Sequence, residues 1–271
     1  MTIDVEDYFQ VSAFEKHIRY EDWDGKELRV DRNVARILEL LDRHKVKATF
    51  FILGWIAQRL PGLVRDIAAG GHEIASHGLR HTRVTQQERA AFREDVTATK
   101  KILEDVVGQE VIGYRAATYS ITEGNLWALD VLAETGHRYS SSIYPIKHDL
   151  YGIPSAPRFH FEVGESKLTE IPITTVAMFG RNWPAGGGGY FRLFPYALSK
   201  WALRHVNEAE HQSAVFYFHP WEIDPEQPRI DGVGWKTRFR HYVNLSKLEG
   251  RVANLLCDFR WNRLDAVFGL R

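Results

Sequence analysis

Short β-branched and aromatic runs alternate along this chain with amphipathic helical stretches, and that alternation narrows the folds open to it. Residues 1–5, 46–53, 72–76, 111–114, 139–143, 168–174 and 214–218 have the make-up of buried strands. Between them, Val34, Ile37, Leu38 and Leu41 mark one face of a helix over 31–45, and Pro61 opens another that stops at Gly70-Gly71. Further helices are expected over 85–107, with Thr85 and Glu88 as a capping box, over 123–135 and over 196–208. Strands that alternate with helices require an α/β chain with a largely parallel sheet, curled or closed. The glycine run 186–189 reads as a mobile or closely approached loop. No repeat or linker interrupts the 271 residues, so one domain, 1–271, is expected, with 225–271 as a helical extension covering the sheet.

Lys and Arg together number 35, as do Asp and Glu, so the formal net charge is zero. That balance lacks the basic footprint of nucleic-acid binding, and no such partner is expected. Cys257 is the only cysteine, which excludes an intrachain disulfide and a thiolate metal cluster. A metal site here would draw on carboxylates and on the 12 histidines. No stretch approaches the roughly 18 consecutive apolar residues of a membrane span. No leader-like segment opens the chain, so a cytoplasmic protein without a membrane span is expected.

Ligands of parallel α/β sheets gather at the carboxyl ends of the strands. There the chain carries Asp4, Glu6 and Asp7, then His77 and His81, then Arg115, and finally His219. The four-residue separation of His77 and His81 would put both imidazoles on one side of a helical turn, able to share a cation. Among 12 histidines such a pair is a weak signal alone. Beside three carboxylates from another strand end it points to a His/carboxylate metal site with an open position for water. One carboxylate could bind the metal while another takes a proton from water. Arg115 would hold that base ionised and oriented. His219, after the buried run Phe216-Tyr217-Phe218, could donate a proton to a leaving amine.

In this order, these motifs resemble those of the NodB-homology polysaccharide deacetylases, carbohydrate esterase family 4. Thr2-Ile3-Asp4-Val5-Glu6-Asp7 is similar to the family's first motif, in the spaced form of its peptidoglycan-deacetylase and allantoinase-like branch. Gly71-His72-Glu73-Ile74-Ala75-Ser76-His77 through His81 resembles its metal motif. Gly113-Tyr114-Arg115-Ala116-Ala117-Thr118-Tyr119-Ser120 resembles its arginine motif, and Tyr217-Phe218-His219-Pro220 its final histidine motif. Tyr144-Pro145-Ile146-Lys147-His148-Asp149 through Pro154, Gly187-Gly188-Gly189-Tyr190-Phe191-Arg192 and Phe239-Arg240-His241-Tyr242 are similar to a bacterial subgroup associated with exopolysaccharide and exosortase loci. Two positions depart from the pattern: Ala117 where proline is usual, and Ser140 where the subgroup tends to have aspartate.

The resemblance implies a distorted (β/α) barrel of about seven parallel strands and a divalent metal, usually zinc. It implies a hydrolase that removes N-acetyl groups from amino-sugar units of a polysaccharide or oligosaccharide. Asp4 would be the base, Arg115 its partner and His219 the acid; His77 and His81 would bind the metal together with Glu6 or Asp7. Thr118 and Tyr119 lie where a backbone N–H could meet the oxyanion. Tyr119, Tyr190 and Trp221, with Trp183, are candidate sugar-stacking aromatics. Two other readings stand beside this one. One is a metal-independent amide hydrolase of the allantoinase-like branch, which the histidine pair opposes. The other is a catalytically idle glycan-binding protein on the same fold.

Overall fold

A computed structural model describes residues 1–149, 151–164 and 167–270. In chain order, the first half consists of β1 (Thr2–Val5), α1 (Val30–Arg43), β2 (Thr49–Ile52), α2 (Gly54–Arg59), α3 (Pro61–Ala69), β3 (Glu73–Ser76), α4 (Arg89–Val107), β4 (Gly113–Tyr114), α5 (Trp127–Glu134) and β5 (Tyr139–Ser140). There follow β6 (Phe161–Val163), β7 (Leu168–Glu170), β8 (Thr175–Met178), β9 (Arg181–Pro184), α6 (Gly188–Leu193), α7 (Tyr196–Arg204), β10 (Tyr217–Phe218), α8 (Trp235–Tyr242), α9 (Leu245–Asp258) and α10 (Leu264–Val267). Seven strands run parallel in the order β10-β1-β2-β3-β4-β5-β7. β6 adds an antiparallel edge, and β8 with β9 forms a separate hairpin.

The sheet curls so that the chain beyond β7 reaches β10, and the seam is irregular backbone. Thr174 N–H donates to Val215 O at 3.4 Å, Gly186 N–H to Thr174 O at 3.0 Å and Tyr217 N–H to Gly186 O at 2.7 Å. A Cβ at Gly186 would strike Val215 O, so glycine alone permits this approach. The outcome is the distorted, largely parallel barrel that the alternation and the motifs anticipate.

Period-two alternation decides which side chains enter the barrel. Ile3, Val5, Phe50, Ile52, Ile74, Phe216 and Phe218 join an outer apolar layer with α1, α3 and α9. In that layer Val34, Ile37 and Leu41 of α1, and Leu245, Leu248, Val252 and Leu255 of α9, recur at helical spacing and are buried. Phe51, Ala75, Tyr139, Val215 and Tyr217 turn inward, with Tyr119, Tyr144, Ile171 and Ile173. Asp4, His77, Arg115 and His219 follow Thr2, Ala75, Gly113 and Tyr217 by two residues and share the inward parity. For that reason they reach one mouth.

Several elements depart from expectation. α4 begins at Arg89; Thr85 lies in a 3₁₀ turn, Val84–Gln86, and Glu88 makes no side-chain capping bond. Buried Val84 donates its N–H to Ser120 Oγ at 2.9 Å, which ties this segment to the loop after β4 and delays the helix. The glycine run is not a mobile loop, because Gly188 and Gly189 open α6 and Gly186, Gly187 and Gly188 are buried. β5 ends early because the Ser142 and Ile143 N–H groups donate to Glu170 Oε1, each at 2.8 Å, rather than to a strand. The C-terminal helix breaks after Asp258, and Leu264 N–H donates to Thr49 Oγ1 at 2.8 Å. α10 thereby closes the amino-terminal end of the barrel, with Leu264 against the interior cluster. Among the described residues no helix is long and apolar enough to cross a membrane.

Candidate active site

β1 leads two carboxylates to the mouth, Asp4 from within the strand and Glu6 just after it. Asp4 is buried, and its Oδ1 accepts a hydrogen bond from Arg115 Nη1 at 2.6 Å. Arg115 is itself fully buried after β4 and held on every side. Nη1 also donates to Thr2 Oγ1 at 2.8 Å, Nε to Ser141 O at 3.0 Å and Nη2 to Ser141 Oγ at 2.9 Å. Its guanidinium carbon lies 4.0 Å from the Phe51 ring centroid. Burial opposes the Arg115 charge, yet the Asp4 carboxylate beside it raises its pKa. A buried ion pair needs hydrogen bonding of this completeness to persist. The pair orients Asp4, whose Oδ2 faces the Tyr119 hydroxyl at 3.4 Å.

Glu6, His77 and His81 each offer one ligand atom, and these atoms all lie within 4.8 Å of one another. His77 Nδ1 lies 2.8 Å from the Arg115 carbonyl oxygen, which fixes the N–H on that nitrogen and leaves Nε2 as the lone pair. Glu6 Oε2 lies 2.9 Å from His81 Nε2 but makes no hydrogen bond among the described residues. A buried carboxylate oxygen that faces an imidazole nitrogen, with no proton aligned between them, fits a shared cation. Burial would raise the Glu6 pKa, but His81 and His219 hold it well below the usual carboxylate range. Burial lowers His77 to about 4, so it presents the neutral imidazole that a cation requires.

The histidine pair is not carried on a helical turn. Gly78 has φ +78° and His81 φ +54°. The Gly78 and Leu79 carbonyls accept the N–H groups of Gly54 and Trp55, at 2.9 and 3.0 Å, and so serve the start of α2. The left-handed His81 brings its ring to 5.3 Å from that of His77. Asp7 is no part of the cluster. Its Oδ2 accepts the Arg29 and Val30 N–H groups at 2.7 and 2.9 Å at the start of α1, and its Oδ1 accepts the Tyr8 N–H at 2.8 Å. Of the two carboxylates left open as metal ligands, Glu6 lies in position.

His219 completes the mouth. Its Nε2 lies 3.4 Å from Glu6 Oε1 and 3.9 Å from Asp4 Oδ2. Its Nδ1 lies 2.7 Å from Glu222 Oε1, and Glu222 Oε2 accepts from Arg192 Nε at 2.6 Å. Burial opposes a charged His219, but Glu6 and Glu222 raise its pKa to about 9. Burial likewise opposes the Glu222 carboxylate, while Arg192 and His219 bring its pKa down to about 2. The motifs did not single out Glu222 or Arg192 for chemistry. Glu222 carried a signal, standing three residues after His219 at capping-box spacing, and Arg192 closes the glycine-run motif.

The candidate substrate residues separate. Trp221 is buried, with its ring stacked 5.2 Å from His219 and 4.2 Å from His241. Both indole faces are covered, so Trp221 is not a sugar platform; its Nε1 donates to Glu6 Oε1 at 3.1 Å. Tyr119 is also buried, and its own N–H donates to Ala116 O at 3.0 Å, which removes both its ring face and its amide from substrate. Thr118 is half-buried, with its Oγ1 2.6 Å from Ser12 Oγ. Tyr190 is half-buried on α6 and lines a cavity of about 380 Å³ that also touches Tyr217. A second cavity, of about 330 Å³, opens beside His81 near Tyr20 and Arg80. Trp183 lies on β9, in an apolar groove with Phe179 and Trp201. Both departures from the family pattern are buried, Ala117 before Thr118 and Ser140 in register with Glu170 of β7. Glu170 already places a carboxylate in that layer, and an aspartate at 140 would set a second beside it.

Residues 20–140 match the polysaccharide deacetylase family, and residues 141–269 match a domain of unknown function, DUF3473. The chain is 32% identical over 97 residues to a chitooligosaccharide deacetylase of Bradyrhizobium sp. (strain ANU 289), covering 36% of this chain and 42% of that protein. It is 33% identical over 108 residues to a peptidoglycan-N-acetylglucosamine deacetylase of Bacillus cereus (strain ATCC 14579), covering 40% of this chain and 38% of the other. The match thus spans about two fifths of the length of these curated relatives. A crystal structure from Mycobacterium smegmatis, of a protein assigned to the polysaccharide deacetylases, superposes with a TM-score of 0.63 at 20% identity. That superposition covers 100% of this chain and 88% of the other, and it shows a shared fold.

Proposed function

Because residues 20–140 carry a polysaccharide deacetylase domain, we propose that the chain is a metal-dependent hydrolase that removes N-acetyl groups from amino-sugar units of a polysaccharide. The observation that carries this reading is the convergence, at one mouth, of the Asp4–Arg115 pair, the Glu6–His77–His81 cluster and His219. A divalent cation held by that cluster, zinc on the strength of its donor set, would polarise the acetamide carbonyl and lower the pKa of its water when bound. Asp4, oriented by Arg115, takes the proton as water attacks the carbonyl carbon. The Thr118 N–H is the remaining backbone donor for the developing oxyanion. His219, paired through Nδ1 with the Glu222 carboxylate, gives its proton to the departing nitrogen. The C–N bond breaks, acetate leaves, and a free amino sugar remains.

The Glu6–His77–His81 cluster favours this reading over metal-independent hydrolysis. The intact Asp4, Arg115 and His219 contacts favour it over an idle glycan binder, despite Ala117 and Ser140. Whole-chain action, over 1–271, is supported by the distribution of the machinery. Asp4 and Glu6 precede the deacetylase match, His77, His81 and Arg115 lie within it, and Arg192, His219 and Glu222 lie in the second match. The test is acetate release from N-acetylglucosamine oligomers by zinc-loaded protein, with zinc content measured in parallel. Acetate release from wild type, and loss of both zinc and activity in His77→Ala, are expected. No acetate from any oligomer, with unchanged zinc in His77→Ala, would overturn the reading.

A further inference from the structure

The cavity beside Tyr217 has a chemistry that the proton-transfer groups do not use. At about 380 Å³ it falls within the roughly 300–1,000 Å³ of small-ligand sites. Lys147, His148, Asp149 and Tyr151, together with α6, β10 and α8, contribute its walls. Through Tyr217 it adjoins the catalytic mouth, for that ring lies 5.7 Å from the His219 ring and 4.8 Å from that of Tyr119. Part of the lining is aromatic. His148 stacks on Tyr151 with centroids 3.9 Å apart, and Tyr190 lines the same cavity. Such rings suit the apolar faces of pyranoses.

Lys147 and Arg240 also line this cavity, both exposed, and among the described residues neither has an ion-pair partner. Asp149 is its one acidic lining residue among those described. Arg240 is presented on an anchored backbone. Its carbonyl accepts a hydrogen bond from Arg192 Nη2 at 3.2 Å, and the same guanidinium holds Glu222, the partner of His219. The helix that offers Arg240 is therefore registered to the proposed acid.

We propose that this cavity binds a carboxylate-bearing sugar beside the acetamido unit offered to Asp4 and His219, so that the substrate is an anionic polysaccharide of N-acetylated amino sugars and uronic acids. This rests on the deacetylase reading above and narrows its substrate class. Tyr190 receives the sugar ring, while Arg240 and Lys147 take the carboxylate through charge-assisted hydrogen bonds. Asp149 nearby opposes a second negative charge, which selects a carboxylate over a phosphate dianion. With a net charge of zero, the molecule exerts no general pull on anions, so the selection is local to this cavity.

The test compares a tetrasaccharide alternating glucuronate with N-acetylglucosamine against the neutral N-acetylglucosamine tetramer. Acetate release and calorimetric binding are both measured, with the zinc-loaded full chain. Wild type is expected to prefer the anionic tetramer. That preference should fall about tenfold in Arg240→Ala and in Lys147→Ala, through KM rather than kcat. Arg240→Lys should retain most of it, and added salt should erode it. Equal or better use of the neutral tetramer by wild type, or a preference that survives both alanine changes together, overturns the proposal. If neither tetramer releases acetate while the anionic one still binds preferentially, the deacetylase reading falls and the cavity assignment stands.

Discussion

Glu222 stands to His219 as Arg115 stands to Asp4, a buried partner of opposite charge behind a proposed proton carrier. His219 must be protonated to act as an acid, and the Glu222 carboxylate at its Nδ1 raises its pKa, so activity should fall on the alkaline side. Glu222→Gln removes one of the charges that raise that pKa. The expected result is an alkaline limb of the kcat/KM profile displaced to lower pH, with kcat/KM reduced about 10²-fold. An undisplaced alkaline limb would exclude the His219–Glu222 pair as the acid. At this scale the sequence was informative where direction follows from alternation, as for Asp4, His77, Arg115 and His219. It could not separate Glu6 from Asp7, because the choice hangs on a tight turn in which Glu6 N–H donates to Asp4 O at 3.1 Å. Nor could it show that Trp221 lies between two imidazoles, a contact made with a helix that follows it in the chain.

The elements around the mouth hold the site through single close approaches. At Gly188, the start of α6, a Cβ would strike the Glu222 carboxylate, which Arg192 and His219 keep from moving. Gly188→Ala is therefore expected to lower stability by about 1–3 kcal/mol and to reduce kcat/KM, read by urea unfolding and acetate release. Full activity in that variant would show that α6 can retreat. α4 steadies the histidine loop from the other side, because Asp95 Oδ1 accepts the Leu79 N–H at 3.0 Å. Burial raises the Asp95 pKa to about 6, against the Leu79 N–H and Arg80. An unfolded aspartate titrates near 3.9, so the native state binds this proton more tightly and its ionisation costs stability as pH rises from about 4 to 6. Asp95→Asn, neutral throughout, should be more stable than wild type above pH 6 by about 1–3 kcal/mol. The gain should vanish below pH 4 in urea titrations. The sequence leaves the glycine run open between mobile and closely approached, because composition alone does not distinguish a loose glycine from a crowded one; Gly186 and Gly188 are crowded.

On the scale of the whole molecule, the alternating pattern was enough to foresee a parallel α/β sheet with its chemistry at the carboxyl ends. The closure was not legible, since Thr174, Gly186 and Val215 meet through isolated backbone bonds that leave no periodic trace. The plug made by α10 was equally hidden, because it depends on Leu264 and Asp265 reaching Thr49 and Glu73 across the fold. β1, β2 and β3, which lead to Glu6 and His77, pair over four-residue registers. The seam beside Tyr217 has no such register. Native-state hydrogen exchange should accordingly be slower for the amides of β2 than for those of Thr174 and Gly186; equal protection would erase the distinction. In mechanical terms the barrel is a hoop closed by a thin clasp. The clasp is the Thr174–Gly186 seam, while paired strands fix the spacing of the cation-binding atoms.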